Sequence, residues 1–248
     1  MTKKDLSPQA AAVLAELKSK GTEKTRITYA RHGHALDRTL GVSVADMKPI
    51  AKNLKGEQAT AYELYDTGFM EAMYLAGMVA NGAKMTEAQL QAWAMGADGL
   101  SMISDYTVPW VTVEHPKSRE LATEWIGAGR DHGGEFLAAS GWRTYSGLVT
   151  TVPDERLDLA EIEALLNAIV ADIHTAQNRV KLTMNSFVIA VGSYVQPLSA
   201  KARAAAHKIG AVSADVGDTA CEVPLAIAYI ERVEATGKLG KKRKTIRC

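Results

Sequence analysis

Phe69-Met70-Glu71-Ala72-Met73-Tyr74-Leu75-Ala76-Gly77-Met78-Val79-Ala80-Asn81-Gly82, followed by Thr86-Glu87-Ala88-Gln89, is the stretch whose reading decides the fold. Phe69, Ala72, Met73, Ala76 and Val79 recur at helical spacing. Asn81-Gly82 stops the pattern, and Thr86 with Gln89 three residues on is a helix-starting cap pair. The unit is therefore helix, short turn, helix. The small residues Ala72, Ala76, Gly77 and Ala80 allow neighbouring helices to approach closely.

The same unit recurs outward in both directions. Ser7-Pro8 reads as a cap followed by a proline at the first helical position, with the helix running to Gly21. Ser43 opens a helix through Leu54, and Ala61, Leu64 and Tyr65 share a face. The helix begun at Thr86 runs through Ala97. Further helices are predicted over Ser101–Glu114, Ser118–Ala128, Gly134–Val149, Leu159–His174, Gln177–Val195, Ser199–Ile209 and Thr219–Thr236. No β alternation of useful length appears; Val149-Thr150-Thr151-Val152 is β-prone but short, and reads as a loop before Pro153. Helix pairs return roughly every 35–40 residues, the period of helical-repeat solenoids. An irregular all-α domain satisfies the same spacing.

Composition sets the class. The chain has 248 residues, 47% hydrophobic and 23% charged, the profile of a globular domain. No apolar run follows Met1-Thr2-Lys3-Lys4, and Phe187–Val195 falls far short of the roughly 20 residues of a spanning helix. No signal peptide or membrane partner is expected. Cys221 and Cys248 have neither metal-type spacing nor a disulfide framework, which fits a reducing, cytoplasmic location. The net charge of +1 conceals an asymmetry. Lys238 to Cys248 contains six basic residues and no acid, so the body of 1–237 carries 23 basic against 28 acidic residues, a formal −5. A strongly basic nucleic-acid footprint is confined to the tail, which otherwise reads as a solvated terminus. The domain organisation expected is one helical-repeat domain over 1–237 and a basic tail over 238–248.

Several motifs carry possible chemistry. Asp105, in Leu100-Ser101-Met102-Ile103-Ser104-Asp105-Tyr106-Thr107-Val108-Pro109-Trp110, is a carboxylate in a mostly apolar segment, costly unless paired or used. Arg31-His32-Gly33 resembles the start of a histidine-phosphatase site, but no apolar strand leads into it, so it reads as part of a helix or its polar end. His32 and His34 have no acid or cysteine at ligand spacing, and both read as solvated; no metal or cofactor is expected. Asp218 reads as the cap of a helix beginning near Thr219 rather than as a catalytic partner of Asp215. Trp110, Trp142, Arg143 and Tyr145 are residue types that stack on bases or pair with phosphate; core filling is the commoner use of tryptophan.

Three motifs in order resemble the AlkD-like DNA alkylation repair proteins. They are Leu40-Gly41-Val42-Ser43-Val44-Ala45-Asp46-Met47-Lys48-Pro49-Ile50-Ala51, then Tyr62-Glu63-Leu64-Tyr65-Asp66-Thr67-Gly68-Phe69-Met70-Glu71-Ala72, then Ser104-Asp105-Tyr106-Thr107-Val108-Pro109. The likeness runs from Tyr29 to about Tyr194, and the C-terminal end is similar to a divergent subgroup. It implies an all-α, right-handed superhelix of HEAT-like repeats. It also implies a glycosylase that removes cationic 3- or 7-alkylpurines by cleaving the N-glycosidic bond, with double-stranded DNA as partner. The resemblance places the catalytic carboxylate on Asp105, where it would stabilise an oxocarbenium-like sugar.

Departures accompany the resemblance. The family's tryptophan four residues before the aspartate is Ser101 here, and its cleft arginine is replaced by Tyr145; Phe187 stands for a second tryptophan and keeps a ring. Tyr29, Ser101, Tyr106, Trp142, Tyr145 and Phe187 are the expected cleft residues. Arg143, Arg179, Lys181, Lys241, Lys242, Arg243 and Lys244 are the expected phosphate contacts. The alternative is a non-catalytic scaffold that binds nucleic acid or protein.

Overall fold

The computed structural model describes residues 5–131 and 134–247; Met1–Lys4, where a leader was sought, and Cys248 lie outside the described residues. Within them the chain forms thirteen α-helices and no strand. These are α1 (Pro8–Lys20), α2 (Glu23–Arg31), α3 (Val44–Asn53), α4 (Gln58–Asp66), α5 (Met70–Val79), α6 (Glu87–Gly96), α7 (Val108–Thr112), α8 (Ser118–Asp131), α9 (Glu135–Thr151), α10 (Leu159–Asp172), α11 (Asn178–Tyr194), α12 (Ser199–Ile209) and α13 (Ala226–Ala235).

Local chemistry sets most of these boundaries. Ser7 Oγ accepts from the Ala10 N–H and Ser43 Oγ from the Asp46 N–H, each satisfying a donor that the first turn leaves unpaired. Thr86 and Gln89 complete both bonds of a capping box.

Packing then builds two rows. An inner row runs α3, α5, α7, α9, α11 and α13, each against the next. Outer helices cover it, with α4 on α5, α6 on α7, α8 on α9 and α12 on α11. Helix α5 is buried over Met70–Gly77 because inner-row neighbours flank it while α4 covers it. Small residues set the spacing. A Cβ at Gly141 would lie 2.7 Å from the Ala122 carbonyl oxygen, so α8 and α9 meet backbone to backbone. The apolar interior divides into one cluster from Val13 to Trp125 and a second from Ala122 to Ile230, as expected of repeats that bury side chains only against their neighbours.

Three segments differ from the sequence-based expectation. Residues 149–151 are helical, not loop: Thr150 and Thr151 bond back to the Ser146 and Gly147 carbonyls at 2.7 and 2.9 Å, and α9 stops at Val152 because Pro153 disfavours helical geometry in the residue before it. The predicted helix over Ser101–Glu114 is interrupted by a π-helical turn, Ile103–Thr107. Pro109 has no N–H to give the Asp105 carbonyl and its ring would crowd that oxygen; the wider turn relieves this, and the Val108 N–H bonds to Ile103 instead. The last helix begins at Ala226, not Thr219; Pro224 disfavours helical geometry in the residue before it and has no N–H to carry a helix through. Asp218 is therefore no cap; it stands in solvent, 4.0 Å from Arg31.

One buried carboxylate organises the first inner turn. Glu71 on α5 is fully buried and accepts the backbone N–H groups of Leu40, Gly41 and Val42 at 2.6–3.1 Å. Tyr29 donates to the Val42 carbonyl at 2.7 Å. Replacing Glu71 by Ala leaves three donors without an acceptor. A loss on the order of 3 kcal/mol is expected, with a smaller loss for Glu71→Gln, both measurable by denaturant unfolding.

Candidate nucleic-acid interface

Asp105 sits on the π turn with its side chain fully buried. Ser104 Oγ donates to its Oδ1 at 3.1 Å. Arg179, in the first turn of α11, donates from Nε to Oδ1 at 3.2 Å and from Nη2 to Oδ2. Arg143, on α9, donates from Nη2 to the same Oδ2 at 3.2 Å. One carboxylate thus ties together three elements of the inner row and is outnumbered by two guanidinium groups. The Arg143 side chain is 27% exposed and reaches from α9 across to the π turn.

The amino end of α11 is further secured by Glu135, which accepts the Arg179 N–H, and by Asn178. The Asn178 side chain both accepts from and donates to the backbone of Asp215, at 2.6 and 2.8 Å. Asp215 Oδ1 accepts the Gly217 N–H at 2.8 Å, closing a tight turn. Gly217 has φ of +81°, and a Cβ there would lie 2.1 Å from the Arg31 carbonyl oxygen. The segment after α12 therefore reaches back to α2, and the carboxy-terminal repeats meet the amino-terminal ones across the inner face.

A cavity of about 720 Å³ lies where these parts converge, walled by Tyr29, His34, Ser101, Tyr106, Arg179 and Gly217 among others. Tyr106 is 41% exposed. Burial, and then Glu71, pushes the Tyr29 hydroxyl up to about 12, so it remains a neutral donor. His34 departs from the solvated reading that still fits exposed His32: it is buried, stacks edge-on to Tyr29, and has Nε2 3.4 Å from Ser101 Oγ. Burial pushes its pKa down to about 4, helped by the Arg179 and His32 charges and opposed by Asp105.

The other expected cleft residues lie elsewhere. Trp142, Tyr145 and Phe187 are fully buried and pack edge to face, with ring centroids 5.3 and 5.6 Å apart, in the carboxy-terminal core. Tyr145 donates to Glu161 on α10, and burial raises its pKa. It faces the outer row, so the cleft arginine it replaces has no counterpart at that position. Trp110 is also core, against Tyr74. Lys181 is half-buried on α11. Arg31-His32-Gly33 ends α2: Arg31 is its last residue, His32 its carboxy-terminal cap, and the Gly33 N–H bonds back to the Ala30 carbonyl at 2.9 Å. Among the described residues no set of three His, Cys, Asp or Glu side chains is gathered for a metal, and no helix is long and apolar enough to cross a membrane.

The tail is laid back on the body. The Gly240 N–H bonds Ser193 and the Arg243 N–H bonds Thr150, both at 2.9 Å. Lys242 spends its charge on Asp154 at 2.7 Å and on the Val149 carbonyl at 2.8 Å, while Lys241, Arg243 and Lys244 are exposed. Arg247 takes the Gly77 and Ala80 carbonyls and Glu114, each at 2.8 Å. These tail contacts were not visible in the sequence, where the residues read only as a charge run.

The family model for DNA alkylation repair enzymes matches residues 13–208. The chain belongs to this family, as an AlkD-like protein of the HEAT-like repeat fold. The uncharacterized proteins Lmo0209 of Listeria monocytogenes and Lin0241 of Listeria innocua are each 28% identical to it over 221 residues, covering 88% of this chain and 93% of theirs. A solved structure from a new family related to the HEAT-like repeat DNA glycosylases, with affinity for branched DNA structures, is 33% identical. It superposes with a TM-score of 0.83 over 96% of this chain and 99% of that one.

Two outcomes follow for this DNA alkylation repair family member. Asp105→Asn is expected to lower stability by about 2 kcal/mol. That is less than for a fully enclosed pair, because the guanidinium side chains stay 23–27% exposed. Because the folded chain holds His34 neutral down to about 4 while the unfolded chain protonates near 6.5, stability rises with pH across that window and falls on acidification. Melting temperatures of wild type and His34→Gln, compared across the window, should show the shallower dependence in the variant.

Proposed function

We propose that this protein recognises branched DNA on its inner face and that its alkylation-repair role is one of DNA binding rather than base excision. The observation that carries the reading is the state of Asp105. Its carboxylate is buried and both oxygens are taken by guanidinium donors. A carboxylate held in that way is shielded from a developing sugar cation, whereas stabilising that charge is what excision asks of it. The cavity wall instead offers Arg179, whose Nη1 makes no hydrogen bond among the described residues, together with Tyr29 and Tyr106. Guanidinium suits phosphate and the rings suit exposed base faces. The affinity of the similar solved protein for branched DNA supports the same reading.

A second reading is excision of cationic 3- or 7-alkylpurines, favoured by the contact of Asp105 with Arg179, which lines a cavity together with Tyr29, Tyr74 and Tyr106. It requires Arg179 to swing aside, and the 23% exposure of that side chain leaves room for movement. An alkylated purine is already cationic and leaves without a general acid, so Asp105 would only have to stabilise the sugar.

The two are separated with purified protein. The expected result is tighter binding to a three-way junction than to linear duplex, weakened about tenfold by Arg179→Ala with a salt slope shallower by about 1. No release of 3- or 7-methylpurine from alkylated DNA above a heat-inactivated control is expected. Release abolished by Asp105→Asn would establish excision and overturn the binding-only reading.

A further inference from the structure

At the other end of α11 from Arg179 lies a second cavity, of about 450 Å³, walled by Tyr194, Tyr229, Arg232, Lys238, Lys241 and Arg243 together with Lys242. Among the described residues no carboxylate lines it. Lys242 is neutralised by Asp154 beneath it, and Glu234 on the neighbouring turn of α13 is engaged by Arg203. Arg232, Lys238, Lys241 and Arg243 form no ion pair among the described residues. On a body whose formal charge is −5 this is a local concentration of unspent positive charge.

The cations are held, not frayed. Arg232 stands on α13, and the segment that carries the other three is pinned at Gly240 and Arg243 by backbone bonds to Ser193 and Thr150. Beyond it, Ile246 fills the space over Gly147, where a Cβ would meet its Cδ1 at 2.8 Å, and Arg247 anchors on the end of α5. The ordering entropy of this segment is therefore met in the fold itself, not on binding. Among these charges stands Tyr229, 43% exposed, with Tyr194 half-buried beside it.

We infer that this recess is a binding site for single-stranded nucleic acid, in which Lys241, Arg243, Lys238 and Arg232 hold successive phosphates and an unpaired base stacks on Tyr229. Cations flanking an exposed ring are the arrangement that binds single strands without regard to sequence. A duplex hides its base faces by stacking and would meet only the lysines and arginines. Arg179 and Tyr194 are fifteen positions apart on one helix, about 22 Å at 1.5 Å per residue. The protein thus carries two separated contact points, fitted to a branch point and to an unpaired arm leaving it.

The test uses the full chain and fluorescence anisotropy with labelled oligothymidylate. Wild type is expected to bind. The double variant Lys241→Glu/Arg243→Glu should bind at least about tenfold more weakly, with a salt slope shallower by about 2. Tyr229→Ala should weaken binding about fivefold or more, and Tyr229→Phe should restore it. All of these side chains are exposed, so unchanged circular dichroism and melting verify the fold. Absence of oligothymidylate binding by wild type, or variants all within about twofold of it, overturns the inference. The three-way-junction assay on Arg179→Ala reads the inner site separately, so either proposal can fail alone.

Discussion

One carboxylate between two guanidinium groups holds the inner face together. Asp105 is offered by the π turn, Arg143 by the middle of α9 and Arg179 by the start of α11. Helical repeats bury side chains only against adjacent repeats, and the apolar contacts of α9 with α11, such as Trp142 on Phe187, join only two of the three elements that Asp105 links. The ion cluster ties all three at one point. Its cost is desolvation, offset by a two-point Arg179 contact and by the Ser104 hydroxyl. The same contacts that make the carboxylate tolerable in the interior occupy both of its oxygens.

Around this cluster the chain closes on itself twice. After α12 the backbone reaches α2 through Gly217, at a separation that only glycine permits. After α13 it returns along the helix ends to α5, where Arg247 neutralises carbonyl groups that the end of a helix leaves exposed. An open solenoid would flex between repeats; these two returns connect its first and last parts. They also place two cation- and tyrosine-lined recesses at opposite ends of α11, a geometry suited to a bent or branched polyanion more than to a straight one.

The helices were legible in the sequence because their causes are local. Ser7, Ser43 and Thr86 cap as their spacing predicts, and the apolar periodicity of 69–79 identifies a buried helix. The errors fall where a distant or competing effect decides. Thr150 and Thr151 have β-prone side chains, yet bond back into the helix. The π turn at Asp105 follows from a proline that was visible, but whether proline kinks, ends or widens a helix depends on what packs around it. His34 looked solvated beside His32 because burial of a single side chain depends on Tyr29, Ser101 and the rest of the cavity wall.

By itself, the sequence determined that this is an all-helical chain, where most of its helices begin and end, and that Asp105 is a carboxylate needing a partner. Each of those follows from spacing and local hydrogen bonding within a few residues. Only the tertiary structure decided that the partners are Arg143 and Arg179, that Tyr145 and Phe187 belong to the core, and that the basic tail is bound to the body. Those depend on contacts between residues 38 to 170 positions apart, and the relative placement of packed helices, not any local rule, brings such residues together.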